Sequence, residues 1–205
     1  MTLAMWLLEH GADPCQEHPS TKDSLVHIAA KFGHASLLGL LLRSGSNPLH
    51  LNRAKRTPIM SAALGAVELA SSHGSIDCIK QLAKAGVDIH AADLSGLTAL
   101  HHASLSRPLM RYLLTQGARI NQPDCMGHTV LTRVVCSTAS ENANPKLLRW
   151  LMEQGAHIHH APRDGSTAVH MAIAARKFPT LLFALELGVD LEFPPNPSLR
   201  VPSTQ

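Results

Sequence analysis

Ser24-Leu25-Val26-His27-Ile28-Ala29-Ala30, with Leu41-Leu42-Arg43-Ser44-Gly45 downstream of it, decides the fold, because both halves of this stretch recur along the chain. The first half returns as Thr57-Pro58-Ile59-Met60-Ser61-Ala62-Ala63, Thr98-Ala99-Leu100-His101, Thr129-Val130-Leu131 and Thr167-Ala168-Val169-His170. The second returns as Leu7-Leu8-Glu9-His10-Gly11-Ala12-Asp13, Leu113-Leu114-Thr115-Gln116-Gly117-Ala118 and Leu151-Met152-Glu153-Gln154-Gly155-Ala156, with Gly86-Val87-Asp88 and Gly188-Val189-Asp190 completing the series. Each part carries a local instruction. A Ser or Thr hydroxyl can cap a helix N-terminus, and Pro58 suits the first helical position, where no amide donor is needed. Paired alanines let a neighbouring helix come close. A glycine just past a Leu-Leu turn supplies the left-handed backbone that ends the second helix. The predicted unit is helix, short turn, helix, then an extended finger to the next unit, with no large sheet. Such a unit buries its apolar face only against its neighbours.

The first half resembles the ankyrin signature Thr-Pro-Leu-His-x-Ala-Ala. From signature hydroxyl to closing glycine the chain counts 21 residues for Ser24 to Gly45 and for Thr167 to Gly188, which is the ankyrin interval. It counts 29 for Thr57 to Gly86, 19 for Thr98 to Gly117 and 26 for Thr129 to Gly155, so the central units carry insertions or a deletion. The extra length falls in 64–73 and 136–145. Leu64 to Ala70 continues a helical apolar pattern and predicts a lengthened first helix, whereas Ser137 to Pro145 is polar, ends at proline and predicts a loop. The resemblance runs from Met1 to about Leu191 and implies an all-α ankyrin-repeat solenoid of about five full repeats plus an N-terminal half repeat, since Met1 begins inside a second helix. Residues 192–205 hold Pro194, Pro195, Pro197 and Pro202 and read as a flexible tail. No polar capping helix follows Leu191, so Ala174, Phe178, Leu181 or Phe183 is expected to be exposed unless the tail or another chain covers it.

Composition supports a folded, helical chain. Hydrophobic residues make up 45% of the 205 and charged residues 16%, too few for a disordered polyelectrolyte. Aromatic residues make up only 3%, so the core must come from aliphatic side chains and close helix contacts. The net charge of +3 is mild, and the one compact basic cluster, Arg53, Lys55 and Arg56, has no aromatics interleaved for base stacking, which argues against nucleic acid. Cys15, Cys78, Cys125 and Cys136 stand far apart and read as reduced thiols of an intracellular protein, cytoplasmic or nuclear. The longest apolar run, Leu37 to Leu42, is too short to cross a membrane, and the N-terminus lacks the basic region of a signal peptide.

The motifs of common catalysts are missing. There is no G-x-S-x-G elbow, no G-x-x-x-x-G-K-[ST] phosphate loop and no H-E-x-x-H metal helix. His157 and His159 alternate along an extended segment beside His160, but no Cys or His pair at short spacing completes a metal site. No cofactor, metal or catalytic residue is assigned. The resemblance implies that His27, His101 and His170 tie neighbouring loops by hydrogen bonds. It also implies a protein-binding module or adaptor, a monomer or weak oligomer, that meets its partner through finger tips and the concave helical face. The lesser alternative is a small-molecule-binding protein or unusual enzyme using a histidine pocket on that face, for which His101, His102 and His128 are the candidates.

Matching the family's contact positions to this chain gives Arg53 and Arg56 before Thr57, Leu94 and Leu97 before Thr98, His128 before Thr129, and Arg163 before Thr167. The variable first-helix positions add Lys31, Phe32, His102 and Arg133. Apolar anchors flanked by arginine displace water while guanidinium pairs with carboxylates, so the expected ligand is an acidic or amphipathic protein segment.

Overall fold

A computed structural model describes residues 6–7, 10–68, 72–136, 145–158, 167–174 and 182. The chain divides into two compact units between Arg119 and Ile120. In the first unit the helices are α1 (Leu25–Lys31), α2 (Ala35–Arg43), α3 (Pro58–Glu68), α4 (Ser72–Lys84), α5 (Ala99–His102) and α6 (Arg107–Thr115). In the second they are α7 (Val130–Cys136), α8 (Pro145–Glu153) and α9 (Ala168–Ala174). Among the described residues the only β pairing is an isolated bridge between Glu17 and Ser24, so the all-α, repeat-built architecture read from the sequence stands.

Local chemistry fixes where α1 starts and where the second helices stop. Ser24 caps α1 with a reciprocal box: its hydroxyl accepts from the His27 amide, and its own amide donates to His27 Nδ1. At the other end of the unit, Gly45, Gly86, Gly117 and Gly155 hold φ of 90°, 85°, 90° and 90°. The amide after each glycine reaches back to the last buried Leu turn, as in Ser46 N to Leu41 O at 3.0 Å and Ala118 N to Leu113 O at 3.0 Å. This is the left-handed closure that only glycine adopts without strain.

The first unit packs as two rows. First helices α1, α3 and α5 lie side by side, and second helices α2, α4 and α6 lie side by side behind them. The row of first helices is held by small residues: Ala29, Ala30, Ala62, Ala63, Ala99 and Ala103 are buried. Leu38, Leu41, Ile79, Leu82, Leu109 and Leu113 fill the layer between the rows, each fully buried Leu or Ile stabilising by about 1.5–3 kcal/mol. In the second unit α7 packs against α8 and α9, around Val130, Leu131, Val134, Val135, Leu148, Leu151, Val169 and Ala172.

The irregular intervals resolve differently. α3 runs to Glu68, so the expected lengthening is helical through that residue, and 69–71 lie outside the described residues. The expected loop at 137–145 also lies largely outside them, but Pro145 belongs to helix rather than loop, opening α8 at a position where proline's missing amide costs nothing. Ala174 is exposed as expected; Phe178, Leu181, Phe183 and the tail 192–205 fall outside the described residues.

Candidate functional site

Three fingers share one turn. Asn52 Oδ1 accepts from the amides of Ala54 (3.0 Å) and Arg56 (2.9 Å). Asp93 Oδ1 accepts from Ser95 (2.9 Å) and Leu97 (3.0 Å), and Asp124 Oδ1 from Met126 (2.9 Å) and His128 (2.8 Å). A short acceptor side chain that gathers two amides fixes the loop without help from a sheet. The residue two places before the signature hydroxyl is left-handed in four units: Lys22 (φ 59°), Lys55 (φ 55°), Gly96 (φ 76°) and Gly127 (φ 91°).

In the first unit these turns are also tied to each other. Arg53 N donates to Thr21 O at 2.9 Å and Leu94 N donates to Ala54 O at 3.1 Å, so successive tips share backbone hydrogen bonds. Asn52 Nδ2 donates to Asp23 Oδ1 at 2.7 Å, and Arg56 Nε donates to Asp93 Oδ2 at 3.3 Å. From the helix side, His27 Nε2 bonds the Arg56 carbonyl at 3.0 Å, the loop tie that the resemblance implied for this histidine. His101 and His170 make the local half of that arrangement, each 2.9 Å from the hydroxyl of its own Thr98 or Thr167.

Asp93 is the node of this network. Burial alone would raise its carboxyl, but the amides of Leu97 and Ser95, then Arg56 and His102, outweigh burial and hold it below its ordinary 3.8. The ionised carboxylate therefore persists at neutral pH as a fixed anchor between two fingers and α5.

The candidate residues separate into groups. Arg53, Arg56, Leu94 and Leu97 come together on adjacent fingers, with Arg53 and Leu94 exposed and Arg56 and Leu97 half-buried. Lys31 and Phe32 do not join them. They sit at the far end of α1 from Ser24, about 10 Å along a seven-residue helix, where Lys31 pairs with Glu68 at 2.9 Å and Phe32 stacks on His34.

His102 departs from the exposed strip expected for it. It is 7% exposed, and its Nε2 donates to Asp93 Oδ2 at 3.1 Å, because the carboxylate that closes the finger needs a second donor on its inner side. In the second unit His128 Nδ1 lies 3.6 Å and Arg133 Nη1 3.9 Å from Asp124 Oδ2, so both half-buried side chains turn toward their own finger. Arg163 lies outside the described residues.

Sequence reasoning passed over Leu49 (57% exposed), Leu51 (48%) and Met126 (66%). Leu49 and Leu51 lead directly into the Asn52 turn, and Met126 follows Asp124 as Ala54 follows Asn52. The signal available was that register: an apolar residue beside a finger turn has no helix partner to bury it. Among the described residues no group of three or more His, Cys, Asp or Glu is placed to hold a metal ion. His159 and His160 are not among them. No described helix is long and apolar enough to cross a membrane.

The comparisons with known proteins agree with this architecture. Family profiles described as Ankyrin repeats (3 copies), Ankyrin repeats (many copies) and Ankyrin repeat match residues 67–159, 136–185 and 22–53. Potassium channel AKT2/3 of Arabidopsis thaliana is 27% identical over 191 residues, covering 89% of this chain and 22% of the channel. B-cell lymphoma 3 protein homolog of Mus musculus is 26% identical over 191 residues, covering 90% of this chain and 40% of that protein. Ankyrin repeat and SOCS box protein 6 of Homo sapiens is 29% identical over 205 residues, covering 89% of this chain and 47% of that protein. The chain thus spans less than half the length of each of these relatives. With capped helix pairs, glycine closures and linked finger turns in register with the family profiles, the chain belongs to the ankyrin-repeat family.

Proposed function

We propose that this chain binds an acidic or amphipathic segment of a protein partner along the fingers at 49–56 and 93–97. Protein binding is the role typical of ankyrin-repeat proteins. The observation that carries the reading is the exposure of Leu49, Leu51 and Leu94 on fingers whose backbone is already fixed by Asn52 and Asp93, with Arg53 beside them. A preorganised turn loses little entropy on binding, so its apolar side chains convert burial into affinity efficiently. The arginine mainly sets the association rate and its salt dependence, and the leucines mainly the dissociation rate. The free state of Cys15, Cys78, Cys125 and Cys136 supports an intracellular setting.

The test is affinity capture from native extract followed by mass spectrometry, and then titration of the captured partner. Leu94→Ala should weaken binding by about 1–2 kcal/mol with the fold intact, and Arg53→Ala should slow association at low salt more than at high salt. Arg56 is a poor probe, since its Nε also holds Asp93. Full affinity in the combined Phe32, Leu49, Arg53 and Leu94 alanine variant, or a retained metabolite in place of a protein, would refute the reading.

A further inference from the structure

A second surface lies on the row of second helices, away from the finger turns. Between α2 and α4 a cleft of about 680 Å³ opens, with Arg43, Lys80 and Lys84 on its walls and Asp77 as its one acid. Repeat register explains the opening. Counting back from the closing glycines, Gly39 occupies the position of Lys80 in α4 and of Arg111 in α6, while Arg43 occupies that of Lys84. Where the next two repeats place a long basic side chain, this repeat has none, and the floor is bare backbone.

The surroundings define what fits. A Cβ built on Gly39 would come 3.0 Å from Gln81 Oε1 and 3.6 Å from Arg43 Nη1, so the amide and the guanidinium edge the gap. Gln81 is held in place by its Nε2 bond to Ala35 O at 3.1 Å. Asp77 is engaged by Lys80 at 3.1 Å, which leaves Arg43 and Lys84 as the cations that the cleft's own acid does not reach. Both close their helices, where the helix dipole favours a cation. That accounts for their presence on each helix but not for the cleft between them.

We propose that this cleft is a docking site for an acidic, extended protein segment, distinct from the finger surface. Charge complementarity points to an anionic occupant, with three cations facing one carboxylate. Arg43, Asp77, Lys80 and Lys84 are all exposed, so the cleft covers one side of a ligand rather than enclosing a small molecule. None of the large exposed apolar residues belongs to α2 or α4, so a membrane surface would find no side chain to insert there. No aromatic lines the cleft to stack a base. Neighbouring packed helices stand about 8–10 Å apart, so a path from Arg43 past Lys84 and Lys80 to Arg111 covers roughly 20 Å, or about six extended residues.

The probe is a fluorescein-labelled peptide of six glutamates, titrated into the full chain at low salt and followed by anisotropy. Arg43→Gln combined with Lys84→Gln should weaken binding about ten-fold or more, and added salt should weaken it further. Gly39→Leu removes no cation, replaces a poor helix former and fills the floor. It should weaken binding about five-fold, and it decides the matter if the double variant fails to fold. Lys146→Gln combined with Arg149→Gln, both exposed on α8, should change affinity less than about two-fold. No binding by the unaltered chain, unchanged affinity in Gly39→Leu, or a loss in the α8 variant as large as in the cleft variants would overturn the proposal. Tighter binding to phosphatidylserine vesicles or to oligo-uridylate than to the peptide would overturn the choice of occupant.

Discussion

Lys55 holds a left-handed backbone at the place in its finger where Gly96 and Gly127 stand in theirs. An L-residue in that conformation costs roughly 1–2 kcal/mol, and glycine there gives back about 0.5–1 kcal/mol in unfolded-chain entropy. Lys55→Gly should therefore stabilise the chain by about 0.5–1 kcal/mol, read as a higher urea midpoint at constant slope; a lower midpoint would show that Lys55 contributes a contact that outweighs the strain. His27 supplies the second residue-scale test. Burial lowers its pKa below the ordinary 6.5, against the pull of the Arg56 carbonyl. Protonation would also place a hydrogen on Nδ1, where the Ser24 amide already donates. The unfolded ring takes its proton near 6.5 and the folded ring only lower, so this contribution to stability is complete above 6.5 and shrinks as pH falls below it. An NMR titration of the His27 ring should give an apparent pKa below 6.5, and a value at or above that figure would be incompatible with the buried, singly protonated ring. The signature histidines were legible in the sequence because each stands three residues after its hydroxyl, and the closing glycines because each follows a recurrent helix ending. The burial of His102 was not, because it depends on a carboxylate nine residues back that the finger turn carries inward.

At the scale of the elements, the approach of α1 to α3 is set by one residue. A Cβ on Gly65 would land on the carbonyl oxygen of Lys31, at the last turn of α1. Alanine in mid-helix would ordinarily gain about 1 kcal/mol over glycine, but here the neighbour is backbone and can yield only if the helices separate. Overpacking of that kind costs about 1–3 kcal/mol, occasionally more. Gly65→Ala should lose about 1–2 kcal/mol net in denaturant unfolding, while Gly39→Ala, met by side-chain ends of Gln81 and Arg43 rather than by backbone, should be neutral or stabilising. If both variants behave alike, the close approach is not what holds Gly65. Helix starts and stops could be read from the chain because caps and closing glycines act within a few residues. The length of α3 could be read from its apolar continuation. The place of Pro145 could not, since a proline that ends a loop and one that opens a helix look the same until the helix behind it is seen.

For the whole molecule, repeat register runs through the chain without a break at Arg119 and Ile120, and nothing in the local signatures marks that division. It arises from how contacts distribute among neighbours, which a repeat signature does not encode. In a repeat array stability is close to a sum of unit and nearest-neighbour contributions. The first unit has six described helices packed in two rows, and the second has three, of which α7 packs against the other two. The second unit should consequently open first. Trp150, 5% exposed in α8, reports on it, and replacing Trp6, the other of the two tryptophans, by Phe leaves Trp150 as the single tryptophan. In urea, Trp150 fluorescence should reach its midpoint about 0.5 M or more below the far-UV circular dichroism midpoint, which is dominated by the larger helical content of the first unit. Hydrogen exchange should then place the slowest amides in α1, α3 and α4. Superimposable fluorescence and dichroism transitions, with equal protection in α7 and α3, would mean that the two units unfold as one cooperative body and would refute the expected order.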